Sequence, residues 1–241
     1  MTETPSHPAQ RRLMEVYRLL YAAYGPQGWW PGAQSPWEVI LGAILTQNTA
    51  WRNVERALAN LKAAQVTTPA RIRELPQEEL AQLIRSSGYF NTKARKLKAF
   101  AHHLGERYKD NLAAFLAQDA SALRPELLSI YGIGQETADD ILVYAAAAPS
   151  FVIDVYTKRI LQRLGVALQR DTYAAYQGLF HQHLPLDATL FNEYHALLDR
   201  HAKEACRKTP LCHSCCLRAV CPTGLALHSE GRKHAPQPHD A

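Results

Sequence analysis

The chain has 241 residues, a formal net charge of +5, 47% hydrophobic residues and 20% charged ones. A chain of this size buries roughly 70–75% of its unfolded surface, and this composition excludes disorder throughout. No apolar run reaches the ~18 residues that span a bilayer. The opening Met1-Thr-Glu-Thr-Pro-Ser-His-Pro lacks the hydrophobic segment of a secretory signal, so a cytoplasmic protein with no membrane partner is expected.

The pattern is helical nearly everywhere. Leu13, Val16, Leu20 and Ala23 share one face of a first helix, and residues 25–36 read as loop. Ser35 can cap a helix with Pro36 at its first position, burying Trp37, Ile40, Leu41, Ile44 and Leu45. A helix with Trp51, Val54, Leu58 and Leu61 in register follows. Thr68-Pro69 and Leu75-Pro76 start two short helices, and Ser87-Gly88 ends the second. Asn91 opens a helix whose Ala94, Leu97, Ala101 and Leu104 face inward. Short segments at 111–118 and 125–130 lead to the glycine turn Tyr131-Gly-Ile-Gly-Gln and a helix over about 136–147. Phe151-Val-Ile runs into Asp154, and helices are expected at about 156–164, 172–183 and 187–205. The polar segment 228–241 is expected to be a disordered tail. The fold class is all-α.

All five cysteines lie between Cys206 and Cys221. In a reducing compartment they do not read as a disulfide framework. Cys206, Cys212, Cys215 and Cys221 form C-x5-C-x2-C-x5-C, and four thiolates in one compact loop can hold a [4Fe–4S] cluster. Zinc also takes four thiolates, but structural zinc sites usually pair two short knuckles; unligated thiols are the third reading. Spacing favours Cys215 over Cys216 as the ligand.

Gly132-Ile133-Gly134 joins two helices. Its glycines permit close backbone approach, and the helix N-terminus beyond offers free N–H groups to a phosphodiester. Glycines also end ordinary helices, so the turn alone is a weak signal. Asp154 follows twenty residues after Gly134, inside Val152-Ile-Asp-Val-Tyr156, then Arg159 and the cysteines.

These pieces together resemble the helix–hairpin–helix DNA glycosylases, the superfamily of endonuclease III. The matching segments are Leu45-Thr-Gln-Asn-Thr, Gly88-Tyr-Phe-Asn-Thr-Lys-Ala, Tyr131-Gly-Ile-Gly-Gln-Glu-Thr-Ala, the Asp154 loop and the cysteine quartet, in family order over about 35–221. The first cysteine gap is one residue shorter than usual. The resemblance implies a bilobal fold: a helical barrel lobe at 36–148 containing the hairpin, and an iron–sulfur lobe formed by 1–35 with 149–227. It implies double-stranded DNA with a damaged base as partner, bound by a monomer across the cleft between lobes, with the target nucleotide flipped.

By the same resemblance Asp154 is the catalytic aspartate. A carboxylate there stabilises the oxocarbenium-like sugar or activates water. Strand-cleaving relatives carry a lysine two positions after the second glycine. Glu136 stands there, and a glutamate cannot form an imine. Hence the expected enzyme is monofunctional, with Glu136 positioning water, coupling to Asp154 or simply favouring the helix N-terminus. Tyr156 replaces the family's usual histidine. Hairpin contacts to DNA fall to Gly132, Ile133, Gly134, Gln135 and Thr137. Gln47 or Asn48 fills the gap left by the flipped base. Lys93, at the head of a basic run with Arg95, Lys96 and Lys98, is expected to touch phosphate.

A cationic alkylated purine is already a good leaving group, and aromatic faces attract it. Trp29, Trp30, Trp51 and Tyr156 are the candidate base pocket; for the tryptophans a core role is equally open. Trp29-Trp-Pro31, Leu45-Thr-Gln-Asn-Thr and Glu136 together look like the 3-methyladenine glycosylases of endonuclease III-like type. The alternatives are an endonuclease III-like glycosylase and lyase for oxidised pyrimidines or T·G mismatches, and a catalytically inactive iron–sulfur DNA-binding module.

Overall fold

The computed structural model describes residues 7–233, with side chains described as far as 227. Among these residues every regular element is helical. No described helix is long and apolar enough to cross a membrane. The chain divides into two compact units, 30–150 and the combination of 1–29 with 151–241.

The first unit holds helices α2 (Pro36–Leu45), α3 (Trp51–Ala63), α4 (Pro69–Glu74), α5 (Gln77–Leu83), α6 (Phe90–Tyr108), α7 (Leu112–Leu116), α8 (Ala120–Ser129) and α9 (Gln135–Asp140). Their starts are written in the sequence. Ser35 Oγ accepts the Glu38 backbone N–H at 3.3 Å with Pro36 behind it, and Thr68 caps α4 in the same way ahead of Pro69. The α2 helix is buried nearly all round and forms the centre of the core with Leu97, Phe100, Phe115, Leu127 and Leu142.

Three expectations shift. The segment before the hairpin starts earlier, at Ala120, because Asp119 Oδ1 accepts the Ser121 N–H at 2.8 Å; Pro125 then sits inside α8. The helix after Gly88 starts at Phe90, with Tyr89 left-handed (φ 44°) at its cap. After Asp140 the chain widens into a π turn, Ile141–Ala145, which the apolar run alone does not signal.

The second unit combines α1 (Pro8–Tyr24) with α10 (Val155–Arg163), α11 (Tyr173–His183), α12 (Ala188–Glu204) and α13 (Pro222–Lys233). Its core is aromatic. Phe151 stacks on Phe180 at 3.6 Å between centroids, and Phe191 and Tyr194 meet them edge-on. Tyr194 is fully buried and donates to the Leu13 carbonyl at 2.8 Å, which joins the N-terminal helix to α12. The α13 helix is described to Lys233, so the expected tail from 228 overlaps its last six residues. The remainder of that tail, 234–241, lies outside the described residues, as do 1–6.

Candidate active site and cysteine loop

In the 30–150 unit, α8 and α9 form a hairpin around Gly132. That glycine is required twice: its φ is 85°, and a Cβ there would strike the Lys96 side chain. The hairpin is braced from within. Arg124 grips Asp139 through two bonds of 2.8 and 2.9 Å, and Ser150 Oγ donates to the same fully buried carboxylate at 2.6 Å. Ile133 and Thr137 are 5% exposed, so their side chains anchor the hairpin from within. Gly134, Gln135 and Glu136 are exposed, and Glu136 lies in the first turn of α9.

Gln47 turns inward too. Its amide donates to Thr137 Oγ1 at 2.9 Å and to the Gly132 carbonyl at 3.3 Å, and its carbonyl oxygen accepts from Lys96. Asn48, exposed and left-handed (φ 54°), is the residue this turn presents. Lys93 is corrected outright. It is 2% exposed, and its ammonium donates to the carbonyls of Leu45 (2.8 Å) and Ser87 (2.7 Å), so it is in no position to meet phosphate. Burial, with Lys96 adding repulsion, pulls its pKa down to about 8. Arg95 remains outside, 4.9 Å over the half-exposed Tyr131 ring.

Trp30 and Trp51 come together in this unit. Their ring centroids are 5.4 Å apart and edge-on, and Tyr144 meets Trp30 at 5.1 Å. A Cβ on Gly42 would come within 2.8 Å of Trp30 Nε1, so a glycine at that point of α2 makes room for the indole. Tyr144 was invisible in the sequence because the π turn sets its direction.

Trp29 and Tyr156 belong to the other unit. Lys203 Nζ lies 5.9 Å over the Trp29 ring, and Arg159 lies 4.9 Å over Tyr156. Asp154 is the N-cap of α10, its Oδ1 accepting the Thr157 N–H at 2.7 Å. Behind it stands His195, 7% exposed on α12. Burial holds its pKa down, against the opposing pull of the Asp154 and Asp199 carboxylates. No local sequence pattern links His195 to Asp154, which lies 41 residues earlier in the chain.

The same α10 helix meets the cysteine loop. Arg159 Nε donates to the Cys206 carbonyl at 2.9 Å. One turn on, Arg163 Nη1 reaches the Cys206 sulfur at 3.2 Å, and Arg163 also holds the carbonyls of Arg207 and Lys208. Cys206, Cys212, Cys215 and Cys221 line one cavity. Cys216 is outside that lining, with its sulfur 3.9 Å from Nδ1 of His201, which also bonds the Tyr24 hydroxyl at 2.9 Å. The five thiols form no disulfide. Burial and neighbouring sulfurs raise the Cys212 thiol pKa, and burial lifts Cys215 to about 11, so these groups are protonated unless a metal displaces the protons. Among the described residues no three His, Cys, Asp or Glu side chains already stand close enough together to hold a metal ion. The donor chemistry around the cavity, four thiols and no carboxylate, fits an iron–sulfur group.

Residues 41–185, enclosing α3 to α11 whole, match the family described as HhH-GPD superfamily base excision DNA repair protein. The chain belongs to this family. It is a base excision repair DNA glycosylase of the helix–hairpin–helix class. A Methanocaldococcus jannaschii protein, MJ1434, named by inference as a DNA repair glycosylase, is 43% identical over 87% of this chain and 95% of its own. The endonuclease III of Sulfolobus acidocaldarius is 29% identical over 76% of this chain and 79% of its own. Among solved structures, the H. pylori 3-methyladenine DNA glycosylase MagIII bound to 1,N6-ethenoadenine superposes with a TM-score of 0.70 at 28% identity. That match covers 81% of this chain and 97% of MagIII.

Proposed function

We propose that this glycosylase removes cationic alkylated purines of the 3-methyladenine kind from duplex DNA, as a monomer, by hydrolysis and without cutting the strand. The observation that carries this reading is the aromatic group of Trp30, Trp51 and Tyr144 in the unit that holds the hairpin. Flat π faces favour a flat cation over a neutral base. The likeness to MagIII, a 3-methyladenine enzyme, supports the same substrate class.

In the proposed reaction the C1′–N bond breaks and the base leaves with the bonding electrons, neutralising its own positive charge. Asp154 stabilises the sugar cation that remains. Water then bonds to C1′ and loses its proton to the carboxylate. Glu136 occupies the family's lysine position and has no amine with which to form an imine, so the product is an intact strand with an abasic site.

Cys206, Cys212, Cys215 and Cys221 are proposed to ligate a [4Fe–4S] cluster, which would fasten the loop that Arg159 and Arg163 hold against α10. The test of function is incubation with duplexes bearing 3-methyladenine, thymine glycol or a T·G mismatch, with borohydride present in one arm. Release of the alkylated base with no trapped protein–DNA adduct supports the reading. Trapping, or preference for thymine glycol, would replace it with the endonuclease III-like activity. Binding without any base release would point to an inactive module.

A further inference from the structure

Lys93 sits on α6 in a place where its charge is of no use to DNA, yet both its hydrogen bonds are specific. It holds the carbonyl of Leu45, the last residue of α2, and the carbonyl of Ser87, two residues before α6's own cap. Each carbonyl lies just ahead of a turn that ends in an exposed, left-handed, non-glycine residue: Asn48 (φ 54°) after Leu45, and Tyr89 (φ 44°, 74% exposed) after Ser87. Such a conformation costs energy and persists when the surroundings enforce it. One turn further along α6, Lys96 holds the side chain of Gln47, which in turn holds the Gly132 carbonyl and Thr137. The α6 helix therefore fixes the Gln47–Asn48 turn from beneath through Lys93 and from the side through Lys96. An ammonium does this better than a neutral donor, since charge-assisted bonds to carbonyls are the stronger kind.

We propose that Lys93 is a positioning residue for base eversion: its buried ammonium clamps the two turns that present Asn48 and Tyr89, so that Asn48 enters the duplex as the target nucleotide leaves. This rests on the reading of Asn48 as the gap-filling residue.

The probe is a duplex carrying a tetrahydrofuran abasic analogue with 2-aminopurine beside it, whose fluorescence rises when its neighbour is unstacked. It needs no particular damaged base, so it separates this inference from the choice of substrate. The intact protein should give the rise, and Asn48→Ala should lose it while still binding. Lys93→Met should cut the rise about tenfold, the scale expected when a coupled partner is lost, while binding weakens far less. The double variant should be no worse than Asn48→Ala alone. Lys93→Arg, which keeps the donors, should recover part of the signal. If Lys93→Met melts early, Lys93→Gln at a temperature where it is folded provides the same comparison. Equal fluorescence in Lys93→Met and the parent, or additive losses in the double variant, would overturn the clamp. No rise with the parent protein would overturn the gap-filling reading itself.

Discussion

Asp154 Oδ1 accepts the backbone N–H of Thr157 at 2.7 Å, and among the described residues Oδ2 makes no hydrogen bond. One oxygen thus orients the carboxylate on the first turn of α10, and the proposed role assigns the other to the sugar. Asparagine caps helices about as well as aspartate but carries no charge. Asp154→Asn should therefore fold with an unchanged melting temperature and bind duplex DNA normally. Its base release should fall by about 10²–10³, the range for losing one electrostatic stabiliser of a transition state. Single-turnover rates on an alkylated duplex provide the measurement; an unchanged rate would remove Asp154 from its role.

Gly42→Ala tests the aromatic group without touching an aromatic ring. The added methyl meets Trp30 at Nε1, so the indole must move relative to Trp51 and Tyr144. Overpacking of this kind costs about 1–3 kcal/mol of stability. Release of the alkylated base should fall further than the melting shift accounts for, chiefly through a raised KM. A KM equal to that of the parent would mean that Trp30 serves only the core.

Lys93 gives the fold a pH signature. Its native pKa of about 8 lies below the usual 10.5. Between those values the unfolded chain binds more protons than the native one, so stability rises with pH across that window. Below about pH 8 both states are protonated, and the full penalty of burying the charge is present. Urea midpoints from pH 7 to pH 10.5 should increase for the parent relative to Lys93→Met. Parallel profiles would place the ammonium in water.

Cys215→Ser and Cys216→Ser separate ligand from neighbour. Cys215 lines the cavity with Cys206, Cys212 and Cys221, whereas Cys216 lies outside that lining. Protein prepared without oxygen should retain its iron and visible absorption in Cys216→Ser and lose both in Cys215→Ser. The reverse result would exchange the two roles, and a colourless parent holding zinc would dismiss the cluster.

Much of the molecule was legible in the sequence because apolar period and caps are local. Ala94, Leu97, Ala101 and Leu104 are all buried as their spacing indicates. Ser35, Thr68 and Asp154 cap the helices they precede. The charge of Lys93 points to the surface, but the residue stands four before Leu97 on the same buried stripe, and the stripe decides its place. Gln47 and Thr137 meet across 90 residues, a pairing no local pattern contains. Tyr144 depends on a π turn, whose widened bond pattern leaves no trace in residue type.

The most direct test is base release from a duplex carrying a single 3-methyladenine, followed with and without alkali. The account predicts free 3-methyladenine, strands that break only after alkali, and no borohydride-trapped adduct. Strand breaks without alkali together with a trapped adduct would contradict it, since Glu136 has no amine to form the imine.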